Sequence, residues 1–409
     1  MTDISRRHLI QTAASLAAIA SAEPAIAQGA AAKNSNAIRA KMGLGPDIIY
    51  VNAANLCPTF KSASAAEKAS SIELQADPSQ EYRQRFVDIS TQLRTRFAHQ
   101  VNASPDAIAL TRNSSESSGN IVRGVPLQAG DEVIIGRENH PSNTTYWHRR
   151  EKEQGIVVKV ANPADEPKNA QEVLDAYLSL ATPKTKVIAL SHMTNLAGLI
   201  APAAEIGRFA RSKNVWFHLD CAQTFGWMKL DVAALGCDSF SGSTHKWMMG
   251  PLGGGVLYVR PERQGELDPL IMSVNYYRSA KPNEVNGQNF EFIGQRTDPM
   301  LPGLMVALDE RDAIGADNIE RLARANAATM RQKLQAKGIK VWGSGDAALW
   351  GPCLAVVVND VAGKHKDLYQ NHKVACAATR INNQPALRIS PHAYNTPEEL
   401  DRLATLVAA

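Results

Sequence analysis

The chain has 409 residues, of which 44% are hydrophobic and 21% are charged, and its formal net charge is +4. This composition is typical of a soluble globular protein and excludes a fibrous or an intrinsically disordered one. Lysine and arginine are scattered, with no cationic run longer than two residues, so the charge pattern does not favour a nucleic-acid-binding protein.

The N-terminus carries the pattern of an export signal. Arg6 and Arg7 precede a weakly apolar stretch, 9–22, which is followed by Ala-Ile-Ala at 25–27. The paired arginines resemble a twin-arginine signal, although His8 departs from that pattern. The apolar stretch is too short to span a hydrocarbon core of roughly 30 Å.

The alternative is an amphipathic N-terminal helix that stays on the protein, but the segment lacks a polar face at helical spacing. We therefore predict that residues 1–27 are removed after export and that no stable membrane anchor remains. The mature protein is then periplasmic, and the twin-arginine export machinery is one of its partners.

The cysteines do not indicate a metal or redox site. No pair has CxxC spacing, and the odd number leaves at least one unpaired in a monomer. Most lie in apolar runs, where a free cysteine behaves as a small hydrophobic residue. The cysteines are Cys57, Cys221, Cys237, Cys353 and Cys376.

From about residue 105, short apolar runs alternate with helical patterns. After the first run, the polar stretch RNSSESS is predicted as a turn, and GNIVRGV as the start of a helix; 202–214 forms another helix. Continuous apolar strands separated by helices predict an α/β fold with a mostly parallel sheet that is covered on both faces. The predicted strands are 107–111, 132–136, 155–160, 185–191, 215–220 and 254–260.

The pattern changes after about residue 300. A long helix over 317–338 is followed by the short strands LAVVVN and ALRIS and by a final helix, TPEELDRLATLVA. This order predicts a smaller α+β C-terminal domain, and the polar stretch 265–300 is predicted to be a connector or an active-site loop region. The predicted units are an N-terminal segment, 28–54, a large domain, 55–300, and a small domain, 301–409.

Polar clusters follow four of the predicted strands: TRNSSES, GRENHPSN, SHMTN and HLDCAQ. A fifth cluster, SGSTHK, precedes a strand. Because ligands of open α/β sheets bind at the carboxyl ends of the strands, these clusters predict one site along that edge.

Asp220 and Lys246 are the candidate reactive groups. Asp220 ends an apolar run, where a carboxylate is costly unless it meets a cation such as a pyridinium nitrogen; alternatively, it caps the next turn. Lys246 is either a surface lysine beside a flexible loop or a partly desolvated amine able to form a Schiff base. Hydroxyl groups, His245 and glycines around it suit a phosphate, as does NSSES at a helix N-terminus.

HLDCAQ, followed by SGSTHKWMMGPLGGGVLYVR, resembles the signature of class V pyridoxal-phosphate enzymes, the aminotransferase/cysteine desulfurase group. The likeness is strongest to isopenicillin N epimerase-like proteins and covers nearly the whole mature chain. Four further motifs, TRNSSES, ENHPSN, SHMTNLAGLIAP and LRISPHAYNTPEELDRL, occur in the family's order, together with FIGQRTDP as its cross-subunit loop. The resemblance implies the type I PLP-dependent transferase fold, pyridoxal 5′-phosphate as cofactor, and a homodimer.

The resemblance also implies the roles of individual residues. Lys246 holds the cofactor as a Schiff base and acts as acid and base at the substrate Cα, Asp220 pairs with the pyridine nitrogen, and His140 stacks on the ring. Gln223 hydrogen-bonds the phenolic oxygen of the cofactor. The phosphate is held by Ser115, Glu116, Ser243 and His245.

Three more residues take their roles from the family's motifs. Asn195 and Arg388 receive the substrate carboxylate, Arg388 through a bidentate pair. Gln295 lies in the cross-subunit loop at a position where threonine is common, and is assigned to the cofactor phosphate. No metal ligand is implied.

The expected reaction is that of an aminotransferase, an epimerase or an oxidative tailoring enzyme acting on an amino acid or on an amino-acid residue of a peptide. The alternative is a cysteine desulfurase or C–S lyase. Desulfurases of this group carry a nucleophilic cysteine before the C-terminal arginine motif, but TRINNQPALR contains none and Cys376 lies upstream. A cofactor-free binding protein would be expected to have lost the lysine, aspartate or arginine, and all three are present.

Overall fold

The computed structural model describes residues 35–272, 285–291 and 294–409. The predicted export signal, 1–27, lies outside the described residues, as do 28–34 and parts of the region 265–300. Within the described part of the chain, no helix is long and apolar enough to cross a membrane. The helices are α1 (35–41), α2 (Lys61–Ala76), α3 (Gln80–Gln100), α4 (Ser114–Gly124), α5 (Pro141–Gln154), α6 (Ala170–Leu178), α7 (Ala203–Ser212), α8 (Val232–Leu235), α9 (Met300–Ile314), α10 (Ala316–Ala336), α11 (Val361–Gln370) and α12 (Pro397–Ala408).

The strands of the described residues form three sheets, of seven, three and two strands. They are β1 (Ile49–Tyr50), β2 (Ile108–Thr111), β3 (Glu132–Gly136), β4 (Val157–Ala161), β5 (Thr185–Ser191), β6 (Trp216–Asp220), β7 (Ser239–Ser243), β8 (Gly255–Val259), β9 (Leu354–Val357), β10 (Val374–Ala375), β11 (Ala377–Ile381) and β12 (Gln384–Ile389).

The large sheet has the order β2-β8-β7-β6-β5-β3-β4 and is mostly parallel, as predicted. Only β8 runs against its neighbours, β7 and β2. The segment 244–254 that joins β7 to β8 contains no helix. A parallel neighbour needs a longer crossover connection, so this short segment returns the chain antiparallel.

Both faces of the large sheet are covered, which explains the continuous apolar runs in its strands. In β5, Val187 and Ala189 pack in a cluster with Trp147 of α5, whereas Ile188 and Leu190 pack in a second cluster with Leu304 of α9. Successive side chains of a strand point to opposite faces, so both sets need a hydrophobic partner.

The C-terminal part is built on the three-stranded antiparallel sheet β11-β12-β9. Leu387 of β12 packs with Leu334 of α10 and Leu403 of α12, and these side chains are buried. The N-terminal segment joins this part, since β1 pairs in parallel with β10. The predicted division of the chain at residue 300 stays a prediction.

Two local predictions were wrong. The predicted turn RNSSESS is already helical from Ser114, because the Asn113 side chain accepts the Glu116 backbone N–H at 3.0 Å and caps α4. Residues 239–243, which are missing from the predicted strands, form β7 between β6 and β8. Serine and glycine have low strand propensity, but pairing on both sides outweighs it. The fifth polar cluster therefore also follows a strand.

Candidate active site

The pocket at the carboxyl ends of the parallel strands collects side chains from five strand ends, as the polar clusters predicted. β2 leads to the serines of α4, β3 to His140, β5 to the Asn195 segment, β6 to Asp220 and β7 to Lys246. The residues that line this pocket are Ser114, Ser115, His140, Ser142, Ser191, Met193, Asn195, Asp220, Ala222, Gln223 and Lys246.

Lys246 lies in a tight turn after β7. Its carbonyl accepts the Met249 N–H at 3.0 Å, and Met249 has a φ of 54°, in the left-handed region. Burial lowers the pKa of the Lys246 amine, Asp220 opposes this shift, and Arg388 adds to it. A buried amine with a lowered pKa is neutral more often, so it is suited to nucleophilic attack on a carbonyl.

Asp220 ends β6 and is only 5% exposed. Its Oδ1 accepts the Ala222 N–H at 3.0 Å, and no described residue donates a hydrogen bond to Oδ2. A buried carboxylate with a free acceptor oxygen requires a positive or donating partner. This environment fits the protonated nitrogen of a bound pyridine ring.

His140 is held as a neutral ring at the start of α5. Its Nδ1 accepts the Ser142 N–H at 3.2 Å and lies 2.7 Å from the Ser142 hydroxyl, so the ring proton is assigned to Nε2. Burial lowers the His140 pKa, Lys246 lowers it further, and Asp220 opposes the shift. A flat, uncharged ring at the pocket wall can stack on an aromatic ligand.

The serines form a hydroxyl cluster at the N-terminus of α4. Ser243 accepts the Ser114 N–H at 2.9 Å, and the two hydroxyl oxygens are also 2.9 Å apart. Ser114 and Ser115 both line the pocket. Hydroxyl groups and the positive end of a helix together favour an anion such as a phosphate.

Three of the predicted phosphate residues, Glu116, Ser243 and His245, are not among the residues that line the pocket, although Ser243 bonds to Ser114, which does line it. The Glu116 carboxylate accepts hydrogen bonds from the Arg112 backbone N–H and from Arg112 Nε, at 2.8 and 2.9 Å. The Glu116 backbone N–H donates to Oδ1 of Asn113, the N-cap residue of α4. Glu116 therefore braces the start of α4 and does not reach the pocket. His245 does not line the pocket either; burial and Lys246 lower its pKa to about 4, and no described residue bonds its buried Nδ1.

Arg388 presents a guanidinium without an acidic partner among the described residues. Its Nη2 donates to Asn52 Oδ1 at 3.1 Å and its Nη1 to the Asn195 carbonyl at 3.3 Å. The buried Nε has no hydrogen-bond partner in the described part of the chain. Two fixed donors and an uncompensated charge suit a carboxylate.

Gln295 is not brought to this pocket within the single chain. It lines a separate cavity, where its side-chain oxygen lies 3.4 Å from Arg83 Nη1 and where Arg94, Glu291 and Arg296 form an ion-paired group. The assignment of Gln295 to a cofactor phosphate across subunits stays a prediction.

Gln223 lines the pocket, but both ends of its amide are already bonded to protein. Nε2 donates to the Ala54 carbonyl at 3.0 Å, and Oε1 accepts the indole N–H of Trp247 at 2.8 Å. Ala54, Trp247 and Asn52 also contact predicted site residues, but the sequence did not indicate them. The stretch VNAAN has no reactive side chain and follows no predicted strand, and Trp247 was passed over beside the lysine.

The structure disfavours a persulfide-forming cysteine. Cys376 is 6% exposed, burial raises its pKa to about 12, and it does not line the pocket. The interval before Arg388 is a hairpin of β11 and β12 with a two-residue turn, in which Asn382 and Asn383 have φ values of 48° and 60°. A turn of this length has no room for a mobile cysteine-bearing loop.

Comparison with known proteins identifies the family. Residues 58–403 match the family described as aminotransferase class-V. An isopenicillin N epimerase from Amycolatopsis lactamdurans is 29% identical over 329 residues, which cover 76% of this chain and 82% of that protein. A cysteine desulfurase from Cronobacter sakazakii is 30% identical over 341 residues, covering 76% of this chain and 80% of that protein.

The fold is shared with solved structures. The apo cysteine desulfurase of Thermococcus onnurineus NA1 superimposes with a TM-score of 0.80 at 21% identity, covering 90% of this chain and 96% of that one. This likeness concerns the fold, and it confirms the predicted PLP-dependent transferase fold. Together with the family match over most of the chain, it confirms the resemblance inferred from the motifs. The chain belongs to the aminotransferase class-V family of pyridoxal-phosphate enzymes.

Proposed function

We propose that the protein is an exported enzyme that uses pyridoxal 5′-phosphate to act at the Cα of a free amino acid or of an amino-acid residue in a peptide. The reaction is that of an aminotransferase, an epimerase or an oxidative tailoring enzyme. One observation carries this proposal: the charges of the buried Asp220 carboxylate and of Arg388, which has no acidic partner among the described residues, both act on the largely buried amine of Lys246.

When bound, the cofactor supplies an electron sink that stabilises negative charge at Cα. Lys246 would hold it covalently through Nζ and, once displaced by the substrate amine, would move the Cα proton. Asp220 would keep the ring nitrogen protonated, and His140 would cover one face of the ring. The hydroxyls of Ser114 and Ser243 lie where α4 begins and suit its phosphate.

The substrate is expected to enter by its carboxylate. Arg388 would hold both carboxylate oxygens; it is not itself among the residues that line the pocket, but its Nη1 donates to the carbonyl of Asn195, which is. Fixing the carboxylate also orients the Cα–H bond relative to Lys246, which positions the proton for transfer. These contacts select an α-amino acid and leave the side chain of the substrate open.

The second candidate is a cysteine desulfurase or C–S lyase, which the desulfurase relative favours. The buried Cys376, its raised pKa and the two-residue turn between β11 and β12 weigh against the desulfurase, whereas a C–S lyase needs no cysteine of its own. A persulfide must form on an accessible thiolate, and a thiol whose pKa is about 12 is protonated at neutral pH.

The cofactor assignment is tested by absorption spectroscopy. Wild type, Lys246→Ala and the exposed-lysine control Lys68→Ala are expressed in parallel, purified and treated with borohydride. Wild type and the control should show a visible band that borohydride abolishes, and Lys246→Ala should lack it. A wild-type protein without such a band would refute the proposal.

The reaction class is tested with a panel of amino acids and peptides in deuterated water. Deuterium at Cα together with inversion indicates epimerisation, a keto acid indicates transamination or oxidation, and sulfide from cysteine indicates desulfuration. Sulfide release that disappears in Cys376→Ser would replace the proposed reaction with the second candidate.

Export and dimerisation are part of the proposal and rest on the sequence motifs of 1–27 and 292–299. Periplasmic fractionation of wild type and of a variant with Arg6→Lys and Arg7→Lys tests the export route, because a twin-arginine signal requires its paired arginines. The mass of the purified protein in solution tests the dimer.

A further inference from the structure

Trp247 directly follows Lys246 and connects it to Gln223. The Trp247 side chain is fully buried, and its indole N–H donates to Gln223 Oε1 at 2.8 Å. On the opposite side of the same amide, Gln223 Nε2 donates to the Ala54 carbonyl at 3.0 Å. The Gln223 carboxamide is therefore held from two sides.

These two partners permit only one orientation of the amide. An indole N–H can only donate, and a backbone carbonyl can only accept. A flipped amide would point its NH₂ group at the indole N–H and its oxygen at the Ala54 carbonyl, which would leave buried polar groups unpaired. With Oε1 turned toward the Trp247 indole and one N–H donated to Ala54, the amide has one remaining N–H for the pocket that it lines.

The backbone of Trp247 is held as firmly as its side chain. His392 Nδ1 accepts the Ala393 N–H, so its proton lies on Nε2, which donates to the Trp247 carbonyl at 2.9 Å. The centroids of the His392 and Trp247 rings are also 5.3 Å apart, so the two rings pack against each other. The residue after Lys246 is thus anchored to the C-terminal part of the chain, and its indole N–H cannot turn away from Gln223 easily.

We propose that Trp247 is a positioning residue whose indole N–H holds the Gln223 carboxamide as an obligate hydrogen-bond donor toward the cofactor's phenolic oxygen. This inference rests on the proposed function. With the cofactor bound, a donor from Gln223 would stabilise negative charge on that oxygen and would so lower the proton affinity of the Lys246 nitrogen beside it. Loss of the donor therefore raises the pH at which the visible band of the cofactor titrates.

The chain offers a matched control in Trp227. Its indole N–H donates to the backbone carbonyl of Gln223 at 2.6 Å. The centroid of its ring lies 6.2 Å from the centroid of the Trp247 ring. Trp227→Phe and Trp247→Phe each remove one buried indole N–H beside the same residue. Only the second frees the Gln223 side chain.

The experiment titrates the visible band of the cofactor-loaded wild type, Trp247→Phe, Trp227→Phe, Gln223→Met and the double variant of Trp247 and Gln223. Trp247→Phe and Gln223→Met should each raise the midpoint by about one pH unit, because the free energy of one hydrogen bond is about that of a one-unit change in pKa. The double variant should show no larger shift than Gln223→Met alone, and Trp227→Phe should titrate like wild type.

The outcomes separate the two proposals. A wild type without a visible band refutes the proposed function and, with it, this inference. A normal wild-type band with an unchanged midpoint in Trp247→Phe, or with equal shifts in both tryptophan variants, refutes the role of Trp247 alone. Additive shifts in the double variant refute it as well, since Trp247 would then act without Gln223.

A second measurement applies even if Trp247→Phe does not fold. In ¹⁵N-tryptophan-labelled protein, Gln223→Met removes the acceptor of one indole N–H and leaves the backbone carbonyl used by Trp227. One indole resonance should shift and exchange faster with solvent than in wild type. An unchanged set of indole resonances would refute the contact.

Discussion

Replacing Arg388 by lysine tests how the pocket recognises a substrate carboxylate. The guanidinium is fixed by Asn52 and by the Asn195 carbonyl, and its charge has no acidic partner among the described residues. Lysine keeps the charge, but its ammonium group is a point donor that cannot bond both carboxylate oxygens in parallel. The variant should therefore lose one of two charge-assisted hydrogen bonds to the substrate.

A hydrogen bond to a charged group contributes about 1.5–3 kcal/mol, which corresponds to a loss of about 10- to 150-fold in affinity. The assay is the change in the visible band of the cofactor-loaded protein on titration with an amino acid. The matched ligand is the corresponding amine, which lacks the carboxylate. Wild type and Arg388→Lys should bind the amine with equal affinity.

The refuting results are specific. Equal losses for the amino acid and the amine would mean that lysine disturbs the whole pocket, and no loss for the amino acid would mean that Arg388 does not bind the carboxylate. Urea unfolding of both proteins should differ by less than about 1 kcal/mol, because the substitution leaves an unpaired cation in the same place.

Three further predictions concern stability, each read by urea unfolding. His218 and His392 are completely buried, and burial lowers their pKa to about 3. The unfolded chain therefore binds protons that the folded state excludes. The free energy of unfolding is highest above about pH 6.5 and should fall by about 1–2 kcal/mol for each histidine as the pH is lowered to 5. Asn383→Gly should stabilise the protein by about 0.5 kcal/mol and Asn383→Val should destabilise it by about 1–2 kcal/mol, because φ at this position is 60°. Gly207→Ala should cost about 1–3 kcal/mol, because its Cβ would lie 2.1 Å from the Leu235 carbonyl oxygen.

A specific result would contradict each of these predictions. An unchanged pH dependence of unfolding in His218→Gln would contradict the role of the buried histidines. Equal effects of Asn383→Gly and Asn383→Val on stability would contradict the role of the positive φ in the turn. Wild-type stability in Gly207→Ala would mean that α7 and α8 separate without loss of packing.

The alternation of apolar runs and helical patterns was sufficient to predict most of the large sheet, because most of its inner strands are buried on both faces and are therefore largely apolar along their length. β5 shows this, since the predicted range 185–191 is also the observed one. β7 was missed because its sequence, Ser-Phe-Ser-Gly-Ser, is not a continuous apolar run. Its strand exists because β6 and β8 pair with it, and those partners lie elsewhere in the sequence.

The candidate site, too, was predicted only in part from the sequence. Lys246, Asp220 and His140 were predicted from their positions after strands and from the family motifs, and the fold brings them to one pocket. Their sequence signal is local because parallel strands end at one edge of the sheet. Glu116 lies outside the pocket lining, and its N–H donates to the cap residue Asn113; the sequence does not tell a capping N–H from a ligand-binding one, so its assignment to the phosphate stays a prediction.

The sequence by itself determined the order of elements, the family and the identity of the reactive groups, because these depend on short-range patterns. Only the tertiary structure decided what surrounds those groups: Asn52 beside Arg388, Ala54 and Trp247 on the Gln223 amide, and the burial that lowers the Lys246 pKa. These contacts join residues far apart in the chain, and desolvation depends on how all of them pack together. No local pattern carries that information.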